Sequence, residues 1–276
     1  MKKRNNKRLK IVKIVFSVIM VLSSGSCIFN NEDNLSLIDP EDAERVSGYI
    51  DVLPWGQEAL DDAGKREKFI EAVIRACAEF APGDEEWQIW CQAFLVAAAC
   101  RESSLQIDLV HWDIQDPPVG LLQIRFGSVV RVFDTYGNKE ALERIGCAWP
   151  DFSGLGDDNW ANPGLEHIQW LQDVQCNVGL GAWYYFLMAS GNGAPPYYVH
   201  NYCAGDGTPG NLVIGMLDYF GGPGTSAGFD ENDPYSHYYV APVKEYFDNM
   251  IIPTPEPHPF IRPFETDICQ HCENCE

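Results

Sequence analysis

Between Asp84 and Ser104 the chain encodes one helix that restricts the folds open to it. Asp84 is a natural N-cap with Glu85 and Glu86 in the first turn. Trp87, Trp90, Cys91, Phe94, Leu95 and Ala98 then recur at helical spacing, a wide apolar face that ends near Arg101-Glu102-Ser103-Ser104. So wide a face must be covered by other elements, and the surrounding patterns supply helices. Phe69, Val73, Cys77 and Phe80 keep the three-to-four spacing of an amphipathic helix between Leu60 and Phe80, stopped by Pro82-Gly83. Asn162-Pro163 reads as an N-cap with proline at the first helical position, opening a helix through Ile168 and Leu171. Trp183 to Met188 lies on another before Gly191, and short helices follow Pro195-Pro196, Pro209 and Pro242. The stretch after Ser104, through Pro117-Pro118, is loop. Sustained strand alternation, internal repeats and glycine-rich phosphate loops are absent from the sequence. The expected fold is mostly α, a compact helical domain over residues 57–250.

Outside that domain the ends of the chain differ in character. The first 26 residues run from seven basic side chains into the apolar segment Ile14 to Leu22 and on to Ser23-Ser24-Gly25-Ser26, which reads as an export signal. Nine residues, of which only Ser17 is polar, are too few for a hydrocarbon core that needs about 20, so a permanent transmembrane helix is the weaker reading. Small residues before Cys27 resemble the lipobox of bacterial lipoproteins, although Ser24 stands where that family usually has leucine. The resemblance implies lipidation at Cys27, an exported and membrane-anchored protein, and contact with the membrane through the lipid alone. Residues 27–56, with the polar run Asn30 to Asn34, then form a tether and N-terminal extension. At the other end, residues 251–276 form a proline-rich tail that carries Cys269, Cys272 and Cys275.

Charge narrows the partners. The chain carries a formal charge of -21, and -28 once the basic leader is removed, so nucleic acid is disfavoured. Ten cysteines in an exported chain point to an oxidising compartment and disulfides, whose pairing the sequence leaves open. With His271, the three tail cysteines offer zinc-ligand types, but they lack the two separated pairs of a structural site and read as disulfides or tail thiols. No metal and no cofactor is expected.

Chemistry enters at Glu102. A carboxyl group directly after the buried run Phe94 to Cys100 has little water around it, so its pKa rises and it can hold a proton near neutrality, as a general acid must. Four segments in fixed order extend this reading. Glu102-Ser103, Gly120-Leu121-Leu122-Gln123-Ile124, Asn177 to Tyr184 with Gly181 and Trp183, and Asn201-Tyr202-Cys203-Ala204-Gly205 resemble the motifs of the soluble lytic transglycosylase family of the lysozyme-like superfamily. The family's closing Tyr-Val segment corresponds to Tyr239-Val240. The resemblance covers residues 67–250. Leu122 replaces the usual methionine, Cys203 replaces an asparagine, and the loop from Glu102 to Gly120 is longer than typical.

The resemblance implies a lysozyme-like helical domain that acts on peptidoglycan glycan strands. Its reaction would cleave the β-1,4 bond between N-acetylmuramic acid and N-acetylglucosamine, with Glu102 making both proton transfers and a 1,6-anhydro product. Ser103, Gln123, Asn177 and Tyr202 are the expected substrate-binding residues, and Trp112, Trp183, Tyr184 and Tyr198 offer stacking surface, with core packing favoured for Trp183. Because the motifs converge on one cleft in such folds, a disulfide among Cys100, Cys176 and Cys203 is expected behind the glutamate. Two alternatives stand beside this. A goose-type lysozyme would hydrolyse the same bond using a second carboxylate from Asp108, Asp113 or Asp116. A non-catalytic wall-binding lipoprotein would keep the fold without the reaction.

Overall fold

A computed structural model of the chain describes residues 38–60, 62–80, 85–190 and 236–251, all within one compact unit that begins at Ile38. Helix accounts for 67% of the described residues and no strand occurs among them. The fold is therefore mostly α, as the sequence predicts.

The first helix, α1 (Pro40–Asp51), starts where chemistry favours it. Asp39 caps it by accepting from Glu41 N at 2.9 Å, Pro40 takes the first turn, and Glu41 and Asp42 face the positive end of the helix dipole. Val46, Tyr49 and Ile50 are buried from its inner face. This helix lies in the stretch read as tether, so the expected domain start at residue 57 is too late. The apolar positions of α1 are short and interrupted by charge, and only their packing reveals them as core. A single turn, α2 (Gly56–Ala59), leads to α3 (Ala63–Phe80), whose first amides are capped by Asp62 Oδ1 at 2.9 and 3.2 Å.

The centre of the fold is α4 (Glu85–Ser103). Every residue from Cys91 to Cys100 is buried, so the helix has no solvent face over this stretch. Helices α1, α3 and the last helix, α10 (Ala241–Met250), pack around it. A disulfide between Cys77 and Cys91 ties the end of α3 to the start of α4. Between them and α10 run the shorter helices α5 (Arg131–Tyr136), α6 (Lys139–Arg144), α7 (Asp157–Ala161) and α8 (Leu165–Leu171), followed by the long α9 (Val174–Ser190), which lies along α3. The expected cap at Asn162-Pro163 is corrected: Gly164 is the N-cap of α8, and its N–H donates to His167 Nδ1 at 3.1 Å.

The same core continues under α5 to α9. Phe126 stacks on Trp160 and His167 at 4.9 and 4.7 Å between ring centroids, and Trp183 meets Phe133 edge-on at 4.7 Å. Trp183 is thus a packing residue, as its apolar neighbours on α9 suggest. Among the described residues, no helix is long and apolar enough to cross a membrane. Cys27, the proline-rich tail with its cysteines, Tyr198, Tyr202, Cys203 and the expected helices after Pro195-Pro196 and Pro209 lie outside the described residues.

Candidate active site

Helix α4 ends by delivering Arg101, Glu102 and Ser103 to one edge of the core. Ser103 Oγ turns back on Ala99 O at 3.0 Å and is buried, so its hydroxyl braces the helix end and is not presented to a substrate as expected. Ser104 and Leu105 then take left-handed backbone, with φ of 53° and 62°. Asp116 and Gln123 do the same, and these are the non-glycine residues with positive φ among those described, all within 22 residues of Glu102. Such conformations cost about 1–2 kcal/mol per residue and persist only where the surroundings over-determine them, which is typical of functional sites. Leu105, wholly buried, anchors the first of these turns.

Glu102 is partly buried as a residue, and two phenols lie against its carboxyl. Tyr239 donates to Glu102 Oε1 at 2.5 Å, Tyr185 reaches the same oxygen at 3.4 Å, and the two hydroxyls hydrogen-bond to each other. Both rings are buried, and Tyr185 is fixed by an edge-on contact with Phe94 at 5.0 Å. Burial dominates the electrostatics and pushes the Glu102 pKa up from 4.5 to about 7. Tyr239, the Arg101 charge, Tyr185 and the Arg125 charge, in that order, pull against it. The carboxyl is therefore poised to exchange a proton near neutrality, which is what the sequence predicts for it.

Against α9, the segment Val119 to Ile124 makes a tight hairpin. Val119 N and Ile124 N donate to each other's carbonyl oxygens at 3.0 and 2.9 Å. Gly120 turns it with φ of 72°, and a Cβ there would sit 2.6 Å from Asn177 Nδ2. Asn177 is the clamp. Its Nδ2 donates to Val119 O at 2.8 Å and Leu171 O at 3.0 Å, while its Oδ1 accepts from Leu122 N at 2.8 Å. With its amide committed and only 1% of its surface exposed, Asn177 is a positioning residue and the expected substrate contact is corrected. Gln123 is half-buried, and its Nε2 donates to Gly120 O at 2.7 Å.

Tyr185 is the site residue that sequence reasoning missed. The signal exists in the spacing: Asn177, Gly181 and Tyr185 stand four residues apart on one face of α9, the first holding the hairpin, the second making room for Leu122, the third touching Glu102. Of the aromatics expected to offer stacking surface, Tyr184 is buried and Trp112 is 64% exposed. Asp108 pairs with Lys65 at 2.9 Å and Asp113 is exposed. Asp116 is half-buried, accepts from Gly127 N at 2.9 Å, and has its pKa raised by burial.

The cysteine pairing differs from the expectation. Cys176 bonds to Cys147, and Cys100 is a free, buried thiol hydrogen-bonded to Tyr246 and pushed up to about 11 by burial, so no bridge joins Cys100, Cys176 and Cys203. The physical reason is direction: Cys100 faces α10, whereas Cys176 faces the segment after α6. Among the described residues, no group of His, Cys, Asp and Glu is arranged to hold a metal ion. No protein-family model matches the chain, no curated protein matches it, and no solved structure matches it.

Proposed function

We propose that this protein is a lytic transglycosylase of the cell wall, exported and anchored by lipid on Cys27. It would cleave the β-1,4 bond between N-acetylmuramic acid and N-acetylglucosamine in peptidoglycan. The observation that carries the reading is the Glu102 carboxyl, raised to about 7 by burial and held by two buried phenols. One group then serves as acid and base. Protonated Glu102 donates to the bridging oxygen as the C1–O bond breaks, and the N-acetylglucosamine leaves with that proton. The resulting carboxylate takes the proton of the muramyl 6-hydroxyl, whose oxygen bonds to C1 and closes the anhydro ring, which restores the acid without water. The two phenols hold the carboxyl oxygen in place through both transfers. Gln123 and Tyr202 offer the amide and phenol groups that N-acetyl sugars bind.

Purified peptidoglycan incubated with the full chain tests this. The expected products end in 1,6-anhydromuramic acid, and Glu102→Gln loses activity by about 100- to 10,000-fold while remaining folded. Reducing-end products together with severe loss in Asp116→Asn would make the enzyme a goose-type hydrolase. No cleavage at any pH, beside an active control, would leave the wall-binding lipoprotein. Fatty-acid labelling of the wild type but not of Cys27→Ser tests the anchor.

A further inference from the structure

A chain with a net charge of -21 repels an anionic strand, so recognition of one needs a local cation that the protein has not already neutralised. Most of its basic side chains are committed. Arg45, Arg66, Arg75, Arg144 and Lys244 each lie on a carboxylate of the protein itself. Arg101, beside the acid, donates through Nε to Tyr238 O at 2.8 Å. Arg125 differs. Among the described residues its guanidinium enters no ion pair and no hydrogen bond, and the residue is exposed.

The position of Arg125 is nevertheless fixed. Ile124, just before it, closes the Val119 to Ile124 hairpin that Asn177 clamps, and Arg125 O accepts from Val129 N at 2.9 Å in the helical turn that follows. The side chain thus leaves a held backbone beside the hairpin whose Leu122 packs on Gly181, one turn of α9 from the Tyr185 that touches Glu102. Its charge reaches Glu102 and Asp116 alike and favours the ionised form of each. A guanidinium presents a fork of donors that matches a carboxylate, and one on a held backbone with no ion pair among the described residues loses little freedom when it binds.

Resting on the transglycosylase reading, we infer that Arg125 binds a carboxylate of the glycan strand and gives the site a preference for anionic over neutral strands. The carboxylate has two possible sources, the lactyl group of a bare muramyl residue and the free carboxyls of a peptide attached there. Asp116 accepts from Gly127 N at 2.9 Å.

The test uses full-length Glu102→Gln, which binds without turnover, titrated with four saccharides of equal length. These are a neutral chitooligosaccharide, a strand with free lactyl carboxyls, a strand with peptides bearing free carboxyls, and the same peptide strand amidated. At low salt at least one anionic strand should bind about 3- to 30-fold more tightly than the neutral one. The advantage should shrink as salt rises. Arg125→Gln in the same background should abolish it while leaving the neutral saccharide unaffected, and Arg125→Lys should retain part of it. Tighter binding of the lactyl strand alone, or of the peptide strand over its amidated form, identifies the source. In the otherwise wild-type enzyme, Arg125→Gln should also move the alkaline limb of kcat/KM to higher pH, because it removes a cation that favours ionised Glu102. Equal affinity for charged and neutral strands, or a preference that survives Arg125→Gln, overturns the inference and leaves the transglycosylase reading standing. Failure to bind any of the four overturns both.

Discussion

Replacing Glu102 by glutamine should make the protein more stable at pH 8 and no more stable at pH 4. The sign follows from proton binding. In an open chain the carboxyl ionises around 4.5, but in the folded protein it keeps its proton to about 7. Below 4.5 both states hold the proton and the group contributes no slope. Between the two values the unfolded chain gives it up while the folded one does not, so folding loses about 1.4 kcal/mol of stability per pH unit. Above about 7 the folded protein has ionised too, and the accumulated loss stands at about 3 kcal/mol. Glutamine has the same shape, can accept from Tyr239 through its amide oxygen, and never ionises. The variant should therefore melt about 6–12 °C above the wild type at pH 8, relative to their difference at pH 4, for a domain of this size. Thermal unfolding of both proteins across pH 4 to 8, with disulfides intact, measures it. Melting curves whose separation is constant over that range would refute the desolvated carboxyl, and with it the electrostatic basis of the proposed reaction. A residue kept at such a cost to stability is one kept for what it does.

Tyr239→Phe removes the 2.5 Å hydrogen bond that favours ionised Glu102, so kcat/KM should fall by about 10-fold and its alkaline limb should move to higher pH; an unshifted profile would show that the phenol does not act on the acid. Gly120→Ala places a Cβ 2.6 Å from Asn177 Nδ2 on a backbone with φ of 72°, and should cost about 2–4 kcal/mol in denaturant titration; a loss below 0.5 kcal/mol, about the scale of a neutral surface change, would deny the clamp. Replacing both Cys147 and Cys176 by alanine opens a bridge spanning 29 positions and should cost about 3–4 kcal/mol, while unreduced peptide mapping should recover the 147–176 pair and unlinked Cys100.

How far the sequence could be read depends on how each residue is packed. The amphipathic face of α3 announces itself through Phe69, Val73 and Cys77, because one side is wet and the other dry. Glu102 is legible because an ionisable group directly follows an apolar run, a local juxtaposition that needs no knowledge of what packs there. Tyr185 is hidden for the opposite reason. Along α9 the residues from Cys176 to Ala182 are all buried, so no stripe marks the face that meets the acid. Asn177 and Ser103 were legible as residues that matter, but not as ones whose polar atoms turn inward to the backbone. The disulfides were illegible because pairing depends on which segments lie together, and Cys147 sits in a connection with no pattern of its own. Helix α1 is hidden because its few apolar positions are interspersed with charge, and Val46, Tyr49 and Ile50 become core only against α3 and α4.

The burial of α4 from Cys91 to Cys100 also sets a hierarchy of opening rates. Amides with no solvent face and three helices packed around them exchange their hydrogens only when the domain opens as a whole. Glu102 stands two residues beyond that stretch, so the acid is mounted on the slowest-opening part of the molecule. The hairpin beside α9 is held by its own pair of backbone bonds, by Gly120 N on Leu109 O and by Asn177, and its Val119, Leu121, Leu122 and Ile124 side chains belong to the same core. Isotope exchange should therefore place the amides on both sides of the site among the slowly exchanging ones. Under the proposed function, a glycan strand would meet a site already formed before it binds.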